Sequence, residues 1–298
     1  MRASTFLCLG VGSFMAAGMA GPSAIHRPRI LSPPEVTVEY KPLEKEFTLH
    51  EPVVVLFSVH NGFSQLVTLS LGAQRRQFFG FSLTTPNGAL LKSANRPGWD
   101  FNTITFGTES MPEVAPGTDY ELPLVMNQWF EFKSAGPCFL AATLSTEISI
   151  SSGGTLSPKP QNIQLRVGPR DAVHLEKLCA ELAKQMEEAP GVAEWRNTAL
   201  RLSYVEDPIA VPHLRQALSM HKGAEYLLIP GWERIGDDAA IHVLLSALID
   251  KSGEVGLLAR QALTRMNDRI EIQTLKGTVE LALAPKHNAF LNVMTKEM

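Results

Sequence analysis

Short runs of alternating hydrophobic and polar residues fill the chain between residues 36 and 168, and turn-forming residues separate these runs. Side chains in a strand point to opposite faces in turn. A strand over residues 53–60 would therefore place four apolar side chains on one face: Val53, Val55, Phe57 and Val59. The pair at 61–62 (Asn-Gly) follows as a tight-turn signal. The pattern predicts seven or so short strands, which is typical of a β-sandwich.

The spacing of the hydrophobic residues changes after residues 168–170 (Gly-Pro-Arg). Strand alternation stops, and apolar residues recur with the 3.6-residue period of a helix. Residues 171–188 carry such an apolar stripe, and Pro-Gly at 190–191 follows it. The change of period predicts a β domain over 36–168 and a separate helical domain over 171–284.

An internal repeat occupies much of the helical half. Residues 207–218 align with residues 237–248 at an offset of 30, and each segment begins with Asp and ends with Ala-Leu. The Leu-Leu pairs at 227–228 and 257–258 keep the same offset. Two-helix repeats with a period of 20–50 residues are the mark of an α-solenoid. An Asp at the start of the first helix has a local reason, since it can cap free N–H groups there.

The segments 207–236 and 237–267 resemble HEAT-type helical repeats. They share the opening Asp, the Ala-Leu and Leu-Leu pairs, and a small or hydrophobic residue before the next Asp. The resemblance implies a short HEAT-like α-solenoid over 171–284. It also implies that 171–206 is a divergent first pair and that 269–284 is a terminal cap, because end repeats need a polar outer face.

The β half carries a second resemblance. Residues 116–122, 129–132 and 136–140 resemble the late strands of immunoglobulin-like accessory domains in exported bacterial proteins, and similar modules precede secreted metalloprotease domains. The resemblance implies an immunoglobulin-like β-sandwich, and it implies no activity. The aromatic residues of this half form either a ligand surface or sandwich core: Phe78, Phe79, Phe81, Trp99, Phe101, Phe106, Trp129, Phe130 and Phe132.

The first 20 residues have the pattern of a secretory signal peptide. Arg2 is positive, residues 6–20 are apolar or small, and a small-x-small site ends at Ala20. An unprocessed anchor is the alternative, although the apolar core is shorter than the roughly 20 residues of a membrane span. Residues 21–35 contain four Pro, which predicts an extended tether. Residues 285–298 are predicted to form a C-terminal tail. We expect an exported, periplasmic or extracellular protein without a stable membrane span after cleavage near Ala20.

The composition excludes several classes of protein. The chain has 298 residues, 45% hydrophobic and 19% charged, which suits about two folded domains. A net charge of −3 argues against a nucleic-acid partner. Three Cys exclude a disulfide-dense scaffold. Cleavage would leave Cys138 and Cys179, which either pair between the two domains or stay as buried free thiols.

No motif specifies a catalytic, cofactor-binding or metal-binding residue. Residues 50–52 (His-Glu-Pro) do not form the HExxH zinc helix. Residues 219–222 match the S-x-x-K pattern of β-lactamases, but this Ser would end a helix rather than begin one. His213 and His242 occupy nearby repeat positions and could face one another, yet a metal site needs more ligands. We therefore predict a protein that is not an enzyme.

Protein binding through the helical repeats is the leading hypothesis. Solenoids present a concave surface, usually lined by their second helices, and Arg, Trp and Tyr dominate interface energies. We expect a protein or peptide partner in the cell envelope, and we leave the oligomeric state open. For Trp232, packing in the core is the alternative. The predicted partner-binding residues are Arg201, Tyr226, Trp232, Arg234, Arg260 and Arg265.

Two further interpretations stay open. The chain is alternatively an accessory or inhibitory module linked to an envelope hydrolase or protease, or an enzyme whose site has no sequence motif, since catalytic groups meet in space rather than in sequence. Pro230-Gly231 lies inside a predicted second helix. The proline either bends that helix and opens a groove near Trp232, or breaks it.

Overall fold

The computed structural model describes residues 35–71, 78–93, 111–250, 253–267, 270 and 273–284. The predicted signal peptide, nearly all of the tether and the C-terminal tail lie outside these residues. The described strands are β1 Val36–Pro42, β2 Phe47–Thr48, β3 Val54–Asn61, β4 Val67–Leu69, β5 Phe79–Thr84, β6 Leu90–Lys92, β7 Glu113–Val114, β8 Asp119–Val125, β9 Gly136–Leu144, β10 Ile148–Ile150, β11 Thr155–Leu156 and β12 Gln161–Gly168. The described helices are α1 Ala172–Glu188, α2 Val192–Ser203, α3 Ala210–Leu218, α4 Glu225–Ile235, α5 Asp238–Asp250, α6 Glu254–Met266 and α7 Gln273–Leu283.

Three sheets share the hydrophobic core of the β-rich part. Their strand orders are β1-β3-β8, β11-β10-β4-β7 and β2-β12-β9-β5-β6. In β3, every second side chain from Val55 to Val59 is buried, as the alternation predicts. In β9, the buried positions also alternate, from Cys138 to Leu144. The prediction of a β-rich first part and a helical second part is therefore confirmed.

Most of the described aromatic side chains of this half belong to the core. Phe79, Phe81, Trp129 and Phe130 are buried, and the ring centroids of Phe81 and Trp129 lie 4.9 Å apart in an edge-to-face arrangement. Phe78 and Phe132 are half-buried. The buried members thus follow the core interpretation rather than the ligand-surface one. The remaining members (Trp99, Phe101 and Phe106) lie outside the described residues.

The helical part has two layers. In one layer α1 packs on α3 and α3 packs on α5. In the other layer α2 packs on α4 and α4 packs on α6. Successive helices pair across the layers, and α7 contacts α5 and α6. The repeat segments 207–236 and 237–267 each hold one such pair. The Asp237 Oδ1 atom accepts a hydrogen bond from the Ala240 N–H at 2.8 Å, which is the predicted cap at the start of α5.

Helix α4 runs from Glu225 to Ile235 without interruption, although Pro230 lies inside it. Of the two alternatives for Pro230, a break of the helix is therefore wrong. The next residue, Gly231, explains how tightly this helix packs. A Cβ atom at Gly231 would lie 3.1 Å from the Leu214 Cδ1 atom and 3.2 Å from the Ser203 Cα atom. The glycine lets the α4 backbone approach α2 and α3 closely.

A hydrogen-bonded joint connects the two parts of the chain. The Thr48 hydroxyl donates to the Pro169 carbonyl and accepts from the Asp171 N–H at 2.9 Å. Glu51 is 5% exposed, and its Oε2 atom accepts from the Thr48 N–H at 2.8 Å and from His174 Nε2 at 3.2 Å. These bonds fix the loop between β2 and β3 against the start of α1.

The second half of the joint centres on Asp207, which is 2% exposed. Arg170 donates to it twice, from Nε to Oδ2 at 2.6 Å and from Nη2 to Oδ1 at 3.1 Å. The Ile209 N–H donates to the same carboxylate at 3.2 Å. The neighbouring Glu206 N–H donates to the His50 carbonyl at 3.0 Å. The Asp that opens the first repeat therefore anchors the interdomain joint, besides satisfying a backbone donor before α3.

We expect this joint to weaken in acid. Burial alone raises the pKa of Asp207, but the hydrogen bonds from Arg170 and Ile209 and the charges of Arg170 and His50 bring it below its usual 3.8. A carboxyl with a lowered folded-state pKa stabilises the fold above its unfolded pKa, and this stabilisation disappears as the pH falls through the folded value. Urea unfolding of the natural chain and of Asp207→Asn at pH 7, 5, 4 and 3 measures the effect. The variant should be less stable at pH 7, and the difference should shrink towards pH 3. A difference that does not change with pH contradicts the assignment.

Both described cysteines are buried free thiols. They do not form the disulfide that was one of the two expectations for Cys138 and Cys179. Burial, together with the charges of Glu176 and Asp207, raises the pKa of Cys179 to about 12, and burial raises the pKa of Cys138. Both side chains therefore behave as small apolar core residues. Among the described residues, no helix combines the length and the hydropathy needed to cross a membrane.

Candidate functional site

The arginines of the second helices form contacts within the protein. Arg234, in the last turn of α4, donates from Nε and Nη2 to the Ser203 carbonyl at 3.1 and 2.7 Å, and from Nη2 to the Ser203 hydroxyl at 3.0 Å. Its guanidinium carbon lies 3.7 Å from the ring centroid of Tyr204, which is 3% exposed. Tyr204 in turn packs on Val54 and Val125 of the β-rich part. Arg234 therefore connects α4 to the end of α2.

Arg265 repeats this arrangement one repeat later, on α6. Its Nε atom donates to Glu233 Oε1 at 2.9 Å and its Nη2 atom to Glu233 Oε2 at 2.7 Å. The Glu233 side chain is 4% exposed and that of Arg265 33%. The two arginines are 31 residues apart, and their partners, Ser203 and Glu233, are 30 apart. In both cases an arginine near the end of a second helix bonds back to the second helix before it, and the similar offsets are a regularity of the repeat that the sequence analysis did not use.

Trp232 was expected on the binding surface, and the structure places it elsewhere. Its side chain has 0% exposure, and its Nε1 atom donates to the Val211 carbonyl at 3.4 Å. Trp232 is thus a core residue, which was the alternative interpretation. The physical reason is that the large apolar indole is more stable inside the core of the helical part, where it is the largest fully buried side chain.

The three remaining predicted residues lie at separate places. Arg260 Nη1 donates to the Leu283 carbonyl at the end of α7 at 3.3 Å. Tyr226 is half-buried, and its hydroxyl bonds to Glu254, which raises the pKa of the tyrosine. Arg201 is half-buried beside the interdomain joint. The structure therefore does not bring the six predicted residues together into one surface.

A groove lies between α3 and α5 in the helical part, with residues of α4 and α6 completing its lining. Its volume is about 580 Å³, within the range typical of ligand pockets. Half-buried apolar side chains line it: Leu218, Val243, Ala247 and Val255. Trp232 forms part of its floor. The groove exists because α3 and α5 pack less closely than α4 and α6 do on the opposite layer.

Charged groups flank the apolar lining of this groove. Glu225 is 9% exposed, and its Oε2 atom accepts from the Gly223 N–H at 2.9 Å. A carboxylate accepts about four hydrogen bonds, so Glu225 keeps acceptor capacity for a ligand. Arg215 and His242 lie exposed at the rim. No sequence motif marks this groove, because the residues that line it come from four separate helices.

The histidines and the serine that were considered as chemical groups form hydrogen bonds within the helical part. His213 Nε2 donates to Glu176 Oε1 of α1 at 3.0 Å, and His242 Nδ1 donates to the Asp238 carbonyl at 2.6 Å. The Ser219 hydroxyl donates to the Gln216 carbonyl at 2.8 Å. In the part of the chain that the structure describes, no group of three or more His, Cys, Asp or Glu side chains could hold a metal ion.

Comparisons with known proteins identify no family for this chain. No family model matches it, and no curated protein matches it. Among solved structures, it is similar to a β-glucosidase from Listeria innocua in complex with gluconolactone (12% identity, 45% of this chain, 16% of that chain, TM-score 0.24). It is also similar to Spo0M, a sporulation control protein from Bacillus subtilis (10%, 49%, 54%, TM-score 0.24), and to the ASH/PapD-like domain of human CEP192 (13%, 52%, 99%, TM-score 0.24). TM-scores of 0.24 are too low to indicate a function for this chain.

Proposed function

We propose that the chain is an exported, non-catalytic binding protein. In this proposal an immunoglobulin-like β-sandwich carries a HEAT-like α-solenoid, and the groove between α3 and α5 holds a peptide segment of a cell-envelope partner. The observation that carries the proposal is the groove itself, which is apolar along its walls and open between two helices. The two-layer stacking of the helix pairs supports the solenoid, and the signal-peptide pattern of residues 1–20 supports export.

The chemistry of the groove defines the segment that it would bind. Apolar walls favour burial of apolar side chains, which supplies most of the free energy in such interfaces. Glu225 at the edge of the floor favours a basic side chain, because a carboxylate and a guanidinium form strong paired hydrogen bonds. Arg215 at the rim is placed to meet a carbonyl or carboxylate of the peptide. The expected ligand is a short apolar segment that carries one Lys or Arg.

This surface differs from the one that the sequence predicted. Arg234 and Arg265 are committed to contacts between helices, so replacing them would disturb the fold together with any binding. Val243 is the better position for a test, because it is half-buried on α5 and lines the groove. Ile249 lies on the same helix, 57% exposed, and is not among the groove-lining residues.

A displayed library of random dodecapeptides, selected on the folded chain, tests the proposal. Enriched peptides should combine apolar residues with Lys or Arg. Their affinity, measured by fluorescence polarisation, should fall at least about tenfold on Val243→Arg, which corresponds to about 1.4 kcal/mol, and should not change on Ile249→Arg. Glu225→Gln should weaken the basic peptides selectively. The proposal fails if no peptide is enriched, or if Val243→Arg and Ile249→Arg bind the enriched peptides as well as the natural chain does.

A further inference from the structure

A second cavity lies where the β-rich part meets α1 and α2. Its volume is about 210 Å³, which is below the range of pockets for drug-sized ligands. Phe47 and Val54 of the β-rich part and Leu178 and Leu182 of α1 form an apolar side of the lining. Its ionised side chains are four carboxylates and two permanent cations: Glu44, Glu46, Glu51, Glu181, Lys177 and Arg201.

Arg201 carries an unsatisfied donor in this cavity. Its Nε atom is shielded from solvent and has no hydrogen-bond acceptor among the described residues. Burial lowers the pKa of Arg201, and the charges of Glu51, Glu181 and Glu44 offset this only in part. A buried guanidinium N–H without an acceptor is unfavourable, and such groups in folded proteins call for a partner.

The nearby carboxylates have other partners. Glu51 accepts from the Thr48 N–H and from His174. Glu46 lies 3.2 Å from Arg166 Nε, and Glu181 accepts from Gln185 Nε2 at 3.0 Å. These acids therefore make the cavity negative without satisfying the Arg201 Nε atom. Arg201 lines the cavity, so a ligand held there would lie beside its guanidinium group, whose Nε atom still lacks an acceptor.

The charges around Arg201 restrict the class of ligand. The Nε atom needs an acceptor, and a carboxylate is the natural partner of a guanidinium. A simple anion would meet repulsion from four glutamates, whereas an ammonium group on the same ligand would be attracted by them. The apolar side of the lining favours an aliphatic side chain, and the small volume excludes a large one.

We propose that this cavity binds a small zwitterion, namely an aliphatic amino acid. Its carboxylate accepts from Arg201, its ammonium group lies towards Glu181 and Glu44, and its side chain packs on Phe47 and Leu178. Because the cavity spans both parts of the chain, a bound amino acid would stabilise the joint between them. This site is separate from the groove between α3 and α5, and the two are tested independently.

Three probes of similar shape separate the contribution of the ligand carboxylate from that of its ammonium group. L-Leucine carries both charges, 4-methylpentanoate carries only the carboxylate, and 3-methylbutylamine carries only the ammonium group. Calorimetric titration and thermal unfolding of the full chain should show binding and a raised melting midpoint with L-leucine. The other two compounds should bind at least about tenfold more weakly. Equal binding of 4-methylpentanoate, or no binding of L-leucine, would overturn the proposal.

Matched variants connect the binding to the named side chains. Arg201→Gln should abolish the L-leucine shift, and Glu181→Gln should weaken L-leucine at least about tenfold. Lys184→Gln removes one exposed charge from the same helix as Glu181 and should leave binding unchanged; its partner is Glu188, at 3.7 Å. The ligand-induced shift is measured within each variant, so a lower stability of Arg201→Gln does not imitate a loss of binding. If Arg201→Gln does not fold, Glu181→Gln decides, and unchanged L-leucine affinity in Glu181→Gln contradicts the proposal.

Discussion

Replacing Trp232 with alanine is expected to lower the free energy of unfolding by about 3–5 kcal/mol, the usual cost of removing a fully buried aromatic side chain. Trp232 has 0% exposure and belongs to the core shared by α3, α4, α5 and α6. Its removal leaves a cavity in that core and deletes the hydrogen bond to the Val211 carbonyl. Urea unfolding followed by circular dichroism at 222 nm measures the change, because that signal reports mainly the helical part.

Leu257→Ala is the control for this variant. Leu257 is a large apolar residue of α6, but it is 55% exposed, and an exposed position of this kind changes stability by no more than about 0.5 kcal/mol. A loss below about 1 kcal/mol for Trp232→Ala would contradict the core assignment. The comparison also affects how binding data are interpreted, since any loss of partner binding in Trp232→Ala would follow from damage to the core.

Local patterns predicted many elements of the fold, although the described residues hold twelve strands where the sequence predicted seven or so. The alternation from Val55 to Val59 predicted a strand, and that strand is β3, with these side chains buried. The offset of 30 residues predicted two helix pairs, and Asp237 caps α5 as expected. Such features depend on neighbours within a few residues, so hydrophobic period and capping chemistry are sufficient to detect them.

Contacts between distant elements were harder to predict. The sequence indicated that Arg234 and Trp232 occupy a second helix, but not whether they face a partner or the preceding helix. That depends on how closely successive helices stack, and Gly231 allows a close approach that the hydrophobic period does not encode. Likewise, Asp207 has the local pattern of a cap, while its bond to Arg170 depends on the way the two parts meet.

The candidate sites also depend on contacts between distant elements, which the sequence does not specify. The groove between α3 and α5 follows from looser packing in one helix layer, and the Arg201 cavity follows from the docking of residues 43–54 onto α1 and α2. Neither feature has a motif, because its members come from separate elements. Trp232 of the groove and Arg201 of the cavity were predicted from their residue types, but the structure buries the first and half-buries the second instead of placing them on an open surface.

Replacing Arg265 with methionine should lower the free energy of unfolding by about 3 kcal/mol, because it leaves the Glu233 carboxylate buried without its main cation. The Glu233 side chain is 4% exposed, so water reaches it poorly. Methionine keeps much of the length and apolar contact of the arginine stem, which isolates the loss of the charged pair. Arg215→Met removes an exposed arginine of α3 and serves as the control, with an expected change within about 0.5 kcal/mol.

A double-mutant cycle with Glu233→Gln distinguishes a specific pair from a general effect of charge. If the two side chains stabilise the stacking of α6 on α4 through their mutual bonds, the double variant should be more stable than the sum of the two single losses implies, by at least about 1 kcal/mol. Strictly additive losses would mean that each residue acts alone, and the ladder of arginines between the second helices would then not hold the repeats together. A positive coupling would explain why both second helices carry an arginine near their end, Arg234 in α4 and Arg265 in α6.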